Sequence, residues 1–188
     1  MHNRKPIEGI KNSIAFLTED RKKEGLCLGL SIEQNINLAS YPMISKQGFI
    51  NLKSEGNRAE KYVEELRIKT PSRFQLCKNL SGGNQQKVVI GKWMCCNSEI
   101  FIFDEPTVGV DVGAKVEIYK LIEELIANGK AVILISSYLP EVMGLSDRLF
   151  IMSEGKCTGV VDKADFYHEN GKLREDMALS KASGIESK

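Results

Sequence analysis

The sequence has no apolar run approaching the roughly 18 residues that a helix needs to cross a bilayer. Its longest continuous one, Ala131 to Ile135, has the length of a strand. Behind the charged start Met-His-Asn-Arg-Lys-Pro there is no apolar segment that could serve as a signal peptide. The chain is therefore expected in the cytoplasm, held at a membrane only through partners. Excess charge of either sign is missing too: 26 Lys and Arg stand against 25 Asp and Glu, a formal net charge of +1. That balance speaks against a basic nucleic-acid arm or an acidic tail, and no nucleic-acid partner is expected. Cysteines are few and unpaired in pattern: Cys27, Cys77, Cys95, Cys96 and Cys157 make an odd number with no C-x-x-C pair. Zinc and a disulfide framework are poor readings of them, and reduced thiols at core or boundary positions are the simpler one. The two histidines, His2 and His168, lie in polar segments without metal-ligand spacing. There is no internal repeat or low-complexity tract.

What is present is an ordinary globular composition, 42% hydrophobic and 27% charged over 188 residues, enough for one domain or a domain with an inserted subdomain. Ser13 to Leu17 reads as a short buried strand running into the polar cluster Thr18 to Gly25, with Lys22 and Lys23 as ordinary surface charges. Ser31 is the N-cap of a helix reaching Ala39, and Lys53 to Ile68 repeats Ala59, Tyr62, Val63 and Leu66 on one face until Pro71 stops it. A third helix is expected from Ser81 to about Cys96, with Trp93 as core packing. Glu99 to Phe103 is then a strand, Gly113 to Ala127 an amphipathic helix closed by Asn128-Gly129, and Ala131 to Ile135 a strand apolar on both faces, as in a parallel sheet covered by helices. Arg148 to Met152 and Cys157 to Val161 flank a hairpin turn containing Gly155. Beyond Asp162 the chain is polar, with a weak helix around Lys172 to Ala182 and a disordered end expected.

Two constellations carry chemistry. In Leu80-Ser81-Gly82-Gly83-Asn84-Gln85-Gln86-Lys87 a serine and two glycines open a helix, whose unpaired amides can receive a phosphate that the glycines let approach. An N-capped helix with a flexible entrance is the plainer alternative. In the second, the strand Ile100 to Phe103 delivers Asp104 and Glu105, followed by Pro106-Thr107. An Asp at a strand's end can hold Mg²⁺, and the adjacent carboxylate can orient or deprotonate an attacking water. A solvated acidic turn is the alternative here.

In this order the two motifs resemble the signature (L-S-G-G-N-Q-Q-K) and Walker B strand (I-F-I-F-D-E-P-T) of ABC ATPases, with Asp111 in V-G-V-D as the D-loop residue. Thr18 to Leu26 (T-E-D-R-K-K-E-G-L) and Ile135 to Glu141 (I-S-S-Y-L-P-E) are similar to the second nucleotide-binding domain of the ribose, galactose and xylose importers. The resemblance covers about residues 10 to 162. It implies an α/β P-loop NTPase (RecA-like) core with an ABC-type helical subdomain: core at 1–24 and 97–162, helical subdomain at 25–96, and a polar tail at 163–188. The phosphate-cradling G-x-x-x-x-G-K-S/T (Walker A) is nowhere in the sequence, so Met1 is expected to open the chain inside such a domain, N-terminally truncated, and the isolated chain to be inactive.

The resemblance further implies ATP and Mg²⁺ as ligands and a transport-coupled ATPase for monosaccharide uptake. Its partners would be a first ATP-binding domain, transmembrane permease subunits that Leu26 to Met43 would meet, and indirectly a sugar-binding protein. Ser81, Gly82, Gly83 and Gln85 would bind nucleotide, Glu105 would be catalytic and Asp104 would hold Mg²⁺, through water. Glu19 stands where many family members have Gln, and Ser137 where they have His; Tyr138 stands where an acidic residue is more usual. Because a serine cannot replace an imidazole at the γ-phosphate, the site containing Glu105 is expected to hydrolyse ATP poorly. Two other readings stay open: a non-hydrolysing module that completes another domain's site, and a non-transport ABC ATPase, against which the near-neutral charge and the lack of heptads argue.

Overall fold

Ser13 takes a left-handed φ of 57° and turns the chain from a short helix, α1 (Pro6–Lys11), into the first strand, β1 (Ile14–Leu17). The computed structural model describes residues 5–168, 172 and 174–182 of the chain. It divides them between two compact units, Met1–Ile133 and Leu134–Lys188.

In the first unit the polar cluster after β1 forms a π-helical turn, Arg21–Gly25, rather than an open loop, begun by Asp20, whose Oδ1 accepts from the Lys23 amide at 3.2 Å. Ser31 and Gln34 then make a reciprocal capping box at the start of α2 (Ile32–Asn37), with bonds of 3.1 and 3.0 Å. A short helix, α3 (Tyr41–Ile44), and a two-residue hairpin, β2 (Ser45–Lys46) with β3 (Phe49–Ile50), follow; periodicity indicated neither. The next helix, α4 (Leu52–Glu65), is capped by Asn51 and ends well before Pro71, because Arg67 turns left-handed at φ 50°. The signature sequence forms α5 (Gly82–Met94), packed on α2, α4 and β1. Burying its Val88, Val89 and Ile90 contributes about 1.5–3 kcal/mol each. Trp93, expected in the core, is only half-buried, with the Lys92 ammonium 5.0 Å over its ring.

The second apolar strand, β4 (Ile100–Asp104), pairs parallel to β1, Leu17 opposite Phe103. Behind it Asp111 caps α6 (Val112–Ala127), which buries Ile118, Leu121, Ile122 and Leu125 and closes at Asn128-Gly129, Gly129 having φ 78°. The strand β5 (Ala131–Ile135) completes a three-stranded sheet of order β1-β4-β5. One face of this sheet is deep core, with Ala15, Leu17, Phe101 and Phe103 fully buried. The other does not meet the expectation of cover on both sides: Phe16 is 48% exposed, and Ala131, Ile133 and Ile135 of β5 also reach the surface. An edge strand has alternate residues to spare for solvent even when every one of them is apolar.

The second unit contains α7 (Leu139–Leu145), the hairpin β6 (Arg148–Ser153) and β7 (Lys156–Asp162), and α8 (Glu175–Ala182). Glu154 and Gly155, at φ 49° and 76°, form the two-residue turn whose twist suits a hairpin. Among the described residues of the polar stretch after Asp162, two belong to a core. Phe166 is fully buried and Ala178 nearly so, in a cluster with Val142, Met143, Leu149, Ile151 and Val161. The expected disorder at the extreme end lies outside the described residues.

Candidate functional site

Parallel pairing brings the ends of β1 and β4 side by side, so the loops starting at Thr18 and at Asp104 leave the same edge of the sheet. This carboxyl edge is where α/β proteins gather their ligand contacts. Asp104 is the last residue of β4 and half-buried. Glu105, also half-buried, follows with φ 46°, a left-handed conformation that costs a residue of its kind on the order of 1–3 kcal/mol. It enters a tight turn in which the Val108 amide donates to the Glu105 carbonyl at 3.2 Å, over buried Pro106 and Thr107. The turn continues through Gly109, φ 68°, to Asp111, whose Oδ1 accepts from the Ala114 amide at 2.9 Å. Asp111 is thus an N-cap in addition to its expected role. On the neighbouring loop Glu19 is exposed and its carbonyl accepts from the Arg21 amide at 3.1 Å.

The entrance to α5 differs in detail from the sequence expectation. Ser81 has N-cap backbone angles, but its hydroxyl does not cap the helix; it is exposed and accepts from Asn84 Nδ2 at 3.0 Å. The amides at the start of α5 therefore remain open to an incoming acceptor. Gln85, expected to contact nucleotide, is turned inward: only 3% exposed, it donates to the Cys77 carbonyl at 3.1 Å.

The glycines have a second reason to be there. A Cβ on Gly82 would stand 2.7 Å from both the Gly109 carbonyl oxygen and Arg21 Nη2, and one on Gly83 would stand 2.5 Å from the Ala114 Cβ. Close approach of α5 to the Gly109 turn and to α6 thus demands both glycines, whatever binds at the entrance.

Two residues near these motifs escaped the sequence reading. Lys87, the last letter of N-Q-Q-K, is buried, with Nζ 2.8 Å from Glu117 on α6 and 3.0 Å from the Arg67 carbonyl. Its ammonium, hydrogen-bonded to Glu117, holds that carboxyl below the usual range. Arg21, one residue of the polar cluster Thr18 to Gly25, is buried and bonded to the carbonyls of Val108 and Gly109. Neither shows a sequence signal for its burial.

In the second unit Ser137 is exposed just after β5. Its neighbour Ser136 donates to buried Glu141 at 2.9 Å and accepts from the Tyr138 amide at 3.1 Å, which fixes the turn into α7.

The family model described as ABC transporter matches residues 2–108, more than half the chain. A putative ribose/galactose/methyl galactoside import ATP-binding protein of Burkholderia ambifaria is 48% identical over 181 residues, covering 95% of this chain and 34% of that protein. The xylose import ATP-binding protein XylG of Thermoanaerobacter pseudethanolicus is 50% identical over 162 residues, covering 85% of this chain and 32% of its own length. The chain thus spans about a third of the length of the curated relatives it matches. Among solved structures, a nucleotide-free ATP-binding cassette from an ABC transporter superposes with a TM-score of 0.71 at 21% identity, covering 100% of this chain and 74% of that one. At that identity the likeness establishes the fold: an α/β ATP-binding cassette of the P-loop NTPase class.

Proposed function

The chain belongs to the ABC transporter family, and from that premise we propose that it forms part of the ATP-binding component of a sugar importer, coupling ATP binding and hydrolysis to monosaccharide uptake. The relatives at 48–50% identity bear the names of ribose, galactose and xylose importers, which supports the sugar class. The observation that carries the reading is the start of α5, where Ser81 leaves the helix amides uncapped and Gly82 keeps a side chain out of the way. In a protein of the relatives' length, two such domains would close head to tail. Ser81, Gly82 and Gly83 would then complete the ATP site whose phosphate loop the first domain supplies.

Asp104, Glu105 and Glu19 would belong to the other, weaker site. A half-exposed carboxylate at the end of a strand fits Mg²⁺, which keeps several waters and takes one or two carboxylates along with phosphate oxygens. Among the described residues no group of three or more acidic, His or Cys side chains is assembled to hold a metal without such help. Asp104 would hold the ion, which when bound supplies charge neutralisation to the β- and γ-phosphates. Glu105, adjacent in sequence, would orient the attacking water and accept its proton. In sequence, Ser137 stands where other family members carry a His that contacts the γ-phosphate, and slow turnover is what that replacement implies. No helix among the described residues is long and apolar enough to cross a membrane. Attachment to the membrane would come through permease subunits, with Leu26 to Met43 as the docking segment and a separate sugar-binding protein delivering the substrate.

The asymmetry is testable. In a protein of the relatives' length, Ser81→Arg should lower ATP-driven sugar uptake by about tenfold or more, because a bulky cation at the helix entrance excludes phosphate, whereas Ser137→Ala should leave uptake nearly unchanged. Equal losses in a vesicle uptake assay would overturn it.

A further inference from the structure

The turn after β1 buries a cation that makes no ion pair among the described residues; only the nearby charge of Asp20 partly offsets its burial. Arg21 is 7% exposed, and its two terminal nitrogens donate to neutral backbone carbonyls, Nη1 to Val108 at 2.7 Å and Nη2 to Gly109 at 3.0 Å. Its neighbour Asp20 is engaged with Lys23 at 3.1 Å, and among the described residues no carboxylate forms an ion pair with the guanidinium. The Arg21 Nε–H is buried without an acceptor. Burial accordingly lowers the guanidinium pKa from its usual value.

Stability does not account for such an arrangement. For a buried guanidinium with one donor unsatisfied, the cost of desolvating the charge and the unpaired Nε–H offsets most of what its two hydrogen bonds contribute. The exposed residues Val108 and Gly109 leave their carbonyls open to water when it is removed. The guanidinium does offer geometry: a rigid fork whose parallel N–H groups fix two acceptors relative to each other, which a lysine cannot do. The two acceptors are consecutive carbonyls of the turn that leads to Asp111. Against the same fork lies Gly82, where a Cβ would stand 2.7 Å from Nη2. Three segments, the Glu19 loop, the entrance to α5 and the Gly109 turn, therefore meet at one side chain.

We propose that Arg21 is a positioning residue, whose fork fixes the Val108–Gly109 turn against Gly82 so that the α5 amides and Asp111 face a bound nucleotide as one rigid edge. The nucleotide half of this statement rests on the ATP-site reading above; the clamp itself does not.

Two measurements test it. In a protein of the relatives' length, Arg21→Met should keep the wild-type denaturation midpoint while kcat for ATP falls about tenfold or more and KM for ATP stays within about twofold, the pattern of an interaction made in the closed, reacting state. Arg21→Lys, with a single donor point, should recover only part of the loss. In the 188-residue chain, hydrogen exchange over residues 106–114 should quicken in Arg21→Met without a change in the strands β1 and β4. Wild-type kcat in the Met variant, or a loss of activity fully matched by a loss of stability, would overturn the proposal. If the unsubstituted protein shows no ATP turnover, the ATP-site reading fails instead. Exchange then judges the clamp by itself: faster exchange upholds it and unchanged exchange removes it.

Discussion

Cysteine shows how much a single residue's surroundings decide. Sequence spacing argues for five reduced thiols at core or boundary positions, and three meet that description: Cys77, Cys95 and Cys96 are buried, while Cys27 and Cys157 are exposed. Burial pushes the Cys77 thiol up to about 12 and the Cys96 thiol up to about 11, so neither forms the reactive thiolate at neutral pH. A thiol reagent at neutral pH should therefore modify two of the five cysteines in the folded chain and all five in denaturant; rapid modification of more than two without denaturant would contradict the packing of α5. Arg21 illustrates the opposite failure of reading. A charged residue between Asp20 and Lys22 looks like solvent-facing sequence, and only the folded turn reveals that its fork is spent on Val108 and Gly109.

At the scale of the element, the α5–α6 contact makes the sharpest quantitative claim. Gly83→Ala places a methyl 2.5 Å from the Ala114 Cβ, and overpacking of this kind costs about 1–3 kcal/mol. Ala114→Gly should return much of that loss when combined with it, because the clash is with that one methyl. Urea denaturation of the two single variants and the double measures the coupling, and simple additivity would mean that the helices do not meet there. Long elements were legible for plain reasons. The apolar stripe of α6, Ile118 to Leu125, spans about two turns, Ser31 and Gln34 announce α2, and β4 is an apolar run ended by acids. The helices α1, α3 and α7, of 6, 4 and 7 residues, are too short to show a period. The end of α4 was misjudged because the left-handed turn at Arg67 is a choice that tertiary packing makes, while Pro71 is merely conspicuous.

At the scale of the molecule, the C-terminal unit is a second core. Phe166→Ala should destabilise it by about 3–5 kcal/mol, the range for removing a fully buried aromatic. Limited proteolysis would detect this as new cleavage within 134–182 while the α5 region stays protected; an unchanged digest would mean that Phe166 anchors nothing. Composition missed this core because one phenylalanine among polar neighbours gives no pattern. The candidate site was legible for a different reason: the order of the motifs along the chain, rather than any one of them, identifies the edge of the sheet where Asp104 and Glu19 emerge. Motif membership says nothing about which side of a helix a residue takes, and Gln85 faces inward to the Cys77 carbonyl. The double duty of Gly82 has an evolutionary corollary. Since a side chain there would strike the Gly109 backbone and Arg21 even with no nucleotide present, glycine at this position would outlive the activity. A descendant that had abandoned ATP altogether would still carry the motif's glycine, as a fossil kept in place by packing.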